Sequence, residues 1–153
     1  MANRGVSAFS AAALRRLRTT ASLSQDDLAA MARTRGARVA GTHICLYEQG
    51  RRKPQLLTAQ ALADSLRVPL DALLSTSRPD DVQRLRLLAG WSQRALAHRL
   101  GIAQARWSRI ERGLSSLDES KFRLAAELLK VTVEQLLRSL DAATGSRRPH
   151  GRR

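Results

Sequence analysis

The side chains of this 153-residue chain that could do chemistry are suited to gripping another molecule, not to breaking bonds in it. A single cysteine, Cys45, and three histidines, His43, His98 and His150, give no spacing that would hold zinc, so no metal site is expected. No Ser/His/Asp set, glycine-rich phosphate loop or paired carboxylates can be assembled from the sequence, so neither an enzyme nor a cofactor is expected. What remains is charge. Lys and Arg number 27 against 13 Asp and Glu, a formal net charge of +14, and nearly all the cations are arginine. A surplus of this size points to a polyanion as partner. Aromatic residues make up only 3%, too few for a base-stacking RNA platform. The apolar runs are short and interrupted by Arg, so no membrane span is expected. The first residues lack the apolar core of a secretory signal, and a lone cysteine fits a reducing compartment. The expected location is therefore the cytoplasm.

The candidate binding groups fall into clusters. Residues 104–112 carry Gln104, Arg106, Arg109 and Arg112, and Gln93 lies a short way before them. Earlier in the chain, Thr42 and His43 are flanked by Arg33, Arg35 and Arg38 on one side and by Arg51, Arg52 and Lys53 on the other. Gln25 precedes both sets. Such clusters act only if something rigid holds them. The composition supplies it: Ala, Leu and Arg dominate, all strong helix formers, and β-branched residues are scarce. The chain reads as all-α.

An internal repeat organises these helices. Residues 14–32 align with 82–100, pairing Leu17 with Leu85, Arg18 with Arg86, Gln25 with Gln93 and Leu28 with Leu96. Further on the offset falls by five, and Glu48 and Gly50 meet Glu111 and Gly113. The difference is a five-residue insertion in the first copy, near residues 33–39. Each copy is expected to form five short helices, over about 9–20, 24–32, 40–48, 57–66 and 70–75, then 79–89, 92–99, 103–111, 117–130 and 133–140. Ser24 and Ser92 are expected N-caps, with Leu23/Leu28 and Trp91/Leu96 as hydrophobic staples. Ser116 with Glu119 and Thr132 with Gln135 suggest capping boxes, and Gly50 and Gly113 suit left-handed C-terminal positions. The expected division is residues 1–77, residues 78–140 and a disordered basic tail over 141–153. The linker near residues 75–80 spans at most ~20 Å, which predicts closely packed neighbours.

The second copy contains Leu85, Arg86, Trp91, Ser92, Gln93, Leu96, Ala97, Leu100, Gly101, Ile102, Trp107, Ile110, Glu111 and Gly113 in an order that resembles the lambda-repressor/Cro (XRE-type) helix-turn-helix family. The first copy is similar but divergent, through Arg18, Ser24, Gln25, Leu28, Ala29, Ile44, Tyr47, Glu48 and Gly50. The resemblance implies two five-helix lambda-repressor-like domains in tandem. Packing fits it: Trp107 and Ile110 face the core, leaving Gln104, Ala105, Arg106, Ser108 and Arg109 outward, while Gly101 permits the tight turn. A helix so oriented fits the major groove. By resemblance, Gln104, Ala105 and Arg109 read bases, Arg106 lies nearer the backbone, and Gln93 meets a phosphate. Arg112 and the first-copy groups Gln25, His43, Arg33, Arg35, Arg38, Arg51, Arg52 and Lys53 suit phosphates, and Thr42 could touch a thymine methyl. The pairs Arg18/Glu48 and Arg86/Glu111 are expected to be structural salt bridges. The outward positions of the first copy (Gly41, Thr42, His43, Cys45, Leu46) hold no Arg, Gln or Asn.

The function implied is sequence-specific double-stranded DNA binding by a transcriptional regulator, a repressor or autoregulator, with RNA polymerase as a further partner. It would act as a homodimer or as a monomer imitating a dimer. Two alternatives stay open: an adaptor or antitoxin-like module that docks a protein on the first copy, and an RNA-binding or coactivator role.

Overall fold

The structure, a computed structural model, describes residues 5–75 and 81–145. The chain divides into two compact units, Met1–Thr76 and Ser77–Arg153. All regular elements among the described residues are helical apart from one isolated bridge between Phe9 and Leu74.

The first unit contains α1 (Ala11–Thr20), α2 (Gln25–Arg33), α3 (Gly41–Glu48) and α4 (Leu56–Ser65), followed by a 3-10 turn, Leu70–Leu73. The start signals act as expected. The Ser24 hydroxyl accepts from the Asp27 N–H at 3.0 Å, and the Asp27 carboxylate accepts from the Ser24 N–H at 3.1 Å. This closes the first turn of α2 and satisfies two donors that a helix start leaves orphaned. Leu14, Leu28, Ile44, Leu62 and Leu73 are fully buried and form the core. The expected fifth helix over 70–75 is only a 3-10 turn. Its flanking residues pair instead with the start of the chain: Ser10 N–H donates to Leu73 O at 2.8 Å and Ser75 N–H to Ala8 O at 2.6 Å. Phe9 meets Tyr47 edge-on, with ring centroids 6.3 Å apart, so this early segment is anchored to α3.

The second unit contains α5 (Val82–Leu88), α6 (Gln93–Leu100), α7 (Gln104–Glu111), a 3-10 turn (Glu119–Lys121), α8 (Phe122–Leu129) and α9 (Val133–Gly145). Its core gathers Val82, Leu96, Leu100, Trp107, Ile110, Ala125, Leu129 and Leu136. Ser92 caps α6 by accepting from Ala95 N–H at 3.1 Å, and Thr132 and Gln135 form the expected reciprocal box at the start of α9. The α6–α7 turn passes through Gly101 at φ +69°, a left-handed conformation that side chains strain to adopt.

Two boundaries differ from expectation. The helix expected at 117 begins as α8 at Phe122, because Leu117 is drawn into the core and holds the backbone extended as far as Asp118. The tail expected from 141 is helical as far as Gly145, since Asp141, Ala142, Ala143 and Thr144 continue α9. They do so against a partner: a Cβ at Gly113 would collide with the Ala143 carbonyl, so the last turns of α9 rest on the turn that follows α7. Residues 146–153 of the expected tail, and the expected start of the second copy at 78–80, lie outside the described residues.

Candidate nucleic-acid interface

Of the groups expected to read DNA, Thr42 sits on α3 and Gln104, Ala105 and Arg109 sit on α7, where the core fixes which way they face. Trp107 and Ile110, three apart, are buried, with 0% and 1% of their surface exposed. That roll of the helix leaves Gln104, Ala105 and Arg109 exposed on the other side. α6 runs beside them, and Ser92, Arg94, Ala95, His98, Ile102 and Gln104 line a groove between the two helices. Arg94 and His98 therefore border the same surface as Gln104. The sequence carries little mark of them, because only the packing of α6 on α7 brings that side of α6 to the groove.

A buried polar knot holds α7 in this attitude. Glu111, the last residue of α7, receives the Arg86 guanidinium in a close ion pair, each side chain only 5% exposed. The same carboxylate accepts from Gln93 Nε2 at 2.7 Å and from the Trp107 indole N–H at 2.7 Å. Arg86 also donates to Trp91 O at 2.8 Å. One carboxylate thus ties α5, α6 and α7 together. The structural role expected for Arg86/Glu111 is what the structure displays. The Trp107 donation goes beyond expectation, although an aromatic four residues before a Glu on one helix face was there to be read. Gln93, expected at a phosphate, turns its amide toward Glu111.

The first unit repeats the knot without the indole. Arg18 pairs with Glu48 at 2.5 Å and donates to Leu23 O at 2.8 Å, and Gln25 Nε2 donates to Glu48 at 3.0 Å. Burial pushes the Glu48 carboxyl upward. The hydrogen bonds from Arg18 and Gln25, with the charges of Arg18 and Arg15, outweigh it and hold the group below the usual carboxylate range.

Several other expected phosphate contacts are engaged within the protein. His43 Nδ1 accepts from Ala40 N–H at 3.0 Å and so caps its own helix. Arg33 donates to Val39 O at 2.9 Å and Arg35 to Met31 O at 3.1 Å, which fastens the insertion while Ala37 and Val39 plug into the core. Lys53 donates to Ser7 O. Arg106 reaches Asp118 at 3.2 Å and Ser116 O at 3.3 Å, on an exposed loop, and Arg112 donates to Ser108 O at 3.3 Å. Arg38, Arg51, Arg52 and Thr42 are exposed. Gly41, expected outward, is buried: a Cβ there would collide with the Asp26 carboxylate.

Residues 82–136 match the Helix-turn-helix family, which places one helix-turn-helix of the XRE type in the second unit. Domains of this family are found in DNA-binding transcription regulators. The match covers little more than a third of the chain and does not reach the first unit. No curated protein and no solved structure shows a significant match. Among the described residues, no helix is long and apolar enough to cross a membrane.

Proposed function

We propose that the chain is a sequence-specific double-stranded DNA-binding protein that regulates transcription as a repressor or autoregulator in the cytoplasm. The observation that carries this reading is α7. Within the matched segment, its Gln104, Ala105 and Arg109 stand exposed while Trp107, Ile110 and Glu111 lock the opposite side. In the major groove, Arg109 suits the two acceptors of guanine and Gln104 the donor–acceptor edge of adenine, each worth ~1–3 kcal/mol of discrimination. Occupancy of a promoter would block RNA polymerase or set a contact with it.

The first unit is read as a divergent second copy. Its support is the recurrence of the Arg–Gln–Glu knot on helices in the same order. Recognition helices in this class work in pairs one DNA turn apart, ~34 Å. Either two chains or two copies within one chain supply the pair. Selection of bound duplexes from random DNA, with the mass of the complex measured, tests this. A recovered motif of one or two half-sites in register with the helical repeat supports it, and no enrichment refutes it.

A second reading, a docking module for a protein partner, draws on the first unit, where Asp26 covers Gly41 and no Arg, Gln or Asn faces outward from the start of α3. A partner that co-purifies in fixed ratio, together with DNA affinity lacking sequence preference, would favour it.

A further inference from the structure

The two ends of α3 in the first unit carry opposite charge. Asp26 and Asp27 occupy the first turn of α2, and Asp26 lies against Gly41 at the start of α3. In the second unit the position equivalent to Asp26 is Arg94, beside Gln104. A phosphate approaching the start of α3 meets a carboxylate where, in the other unit, it meets a guanidinium.

The far end of α3 is basic. Gln49 and Gly50, which follow it, line a surface groove with Ala11, Ala12, Arg15 and Arg16 of α1. The two alanines leave the α1 side of this groove open to a bulky ligand. Arg51 and Arg52 come next, and both of their N–H groups donate to Leu46 O, at 3.0 and 3.3 Å. That bond pattern folds the turn back over the end of the helix. Glu48 also lines the groove, but its carboxylate is held by Arg18 and Gln25. Arg15, Arg16, Arg51 and Arg52 are all exposed, and among the described residues their side chains enter no hydrogen bond or ion pair. They differ in this from Arg33, Arg35 and Lys53, whose donors are bound to backbone carbonyls.

We propose that this groove and the turn that follows α3 form a clamp for the phosphodiester backbone, with Arg15 and Arg16 lining the groove and Arg51 and Arg52 on the turn next to Gly50 as its cations. The first unit then holds DNA by the side of α1 and the end of α3. This rests on the reading of the chain as a DNA-binding protein. Phosphate contacts release counterions and add affinity without sequence preference. Neutralising the clamp must therefore weaken all duplexes alike.

The test uses the full chain and two labelled duplexes, one recovered by selection and one scrambled, titrated between about 50 and 200 mM salt. Each phosphate that the protein ceases to neutralise flattens the plot of log affinity against log salt by ~0.9, so the combined variant Arg15→Ala, Arg16→Ala, Arg51→Ala and Arg52→Ala is expected to flatten it by ~3–4. The ratio of specific to scrambled affinity stays at the wild-type value. An unchanged slope overturns the clamp. Weakened discrimination in the combined variant overturns it as well, because those arginines would then be reading bases. If the wild type binds both duplexes equally and the slope still flattens, the clamp stands and base reading falls. If the wild type binds no duplex, both fall.

Discussion

Replacing Glu111 by Ala is expected to cost the second unit most of its stability, and the size of the loss follows from what the carboxylate holds. Arg86 is 4% exposed, and its guanidinium would be left buried with the Trp91 carbonyl as its remaining partner. Gln93 and the Trp107 indole would each lose an acceptor. Removing one member of a buried ion pair costs ~3–5 kcal/mol, because the other charge stays desolvated and unmatched. A unit of this size has ~3–10 kcal/mol in total. Its melting temperature is expected to fall by ~12 °C or more, at ~4 °C or more per kcal/mol. The chain offers a clean probe, since its two tryptophans, Trp91 and Trp107, both lie in the second unit. Thermal or urea unfolding followed by tryptophan fluorescence therefore reports that unit directly. The double variant Arg86→Met with Glu111→Leu removes both charges and is expected to recover much of the loss. The reasoning is refuted by a Glu111→Ala loss below ~1 kcal/mol, or by a double variant no more stable than the single one.

Acid should act on the first unit through Glu48. Its folded pKa is depressed, so its contribution is fully present above the unfolded carboxylate value, ~4.3, and is lost as pH falls through the lower folded value. Acid unfolding followed by the single tyrosine, Tyr47, should lose this component in Glu48→Gln. Arg109→Ala is expected to weaken cognate binding by ~1–3 kcal/mol and scrambled binding far less, measured by competition between the two duplexes. Gly113→Ala meets both a φ of +71° and the Ala143 carbonyl, and should cost more than the ~1 kcal/mol typical of left-handed strain alone. The comparison is with Gly50→Ala, which has a similar φ and open space around it, by thermal melting.

Local rules were the ones legible in the sequence. Ser24, Ser92 and Thr132 cap helices because a hydroxyl and a free N–H a few residues apart need nothing else. The roll of α7 was readable because two bulky apolar residues three apart decide it. The pairing of Arg18 with Glu48 and of Arg86 with Glu111 was legible through the family resemblance, in which an Arg on the first helix ties to the Glu ending the third, and the repeat carries those charges twice. What stayed hidden depends on distant geometry. The inward turn of Gln25 and Gln93 follows from where a Glu some twenty residues later happens to lie. Binding of Arg33 and Arg35 to carbonyls reflects the path of an insertion with no counterpart. The full length of α9 was not legible, because composition alone cannot show that Gly113 offers its last turns a seat.

That seat orders events during synthesis. The turn closing α7 packs against a carbonyl thirty residues downstream, at Ala143. A ribosome adding ~5–20 residues per second needs a few seconds more after α7 is made before that residue exists. Until then the turn after α7 lacks the surface it packs against, and the second unit reaches its finished packing, with Leu136 of α9 in the core, only when α9 has been made.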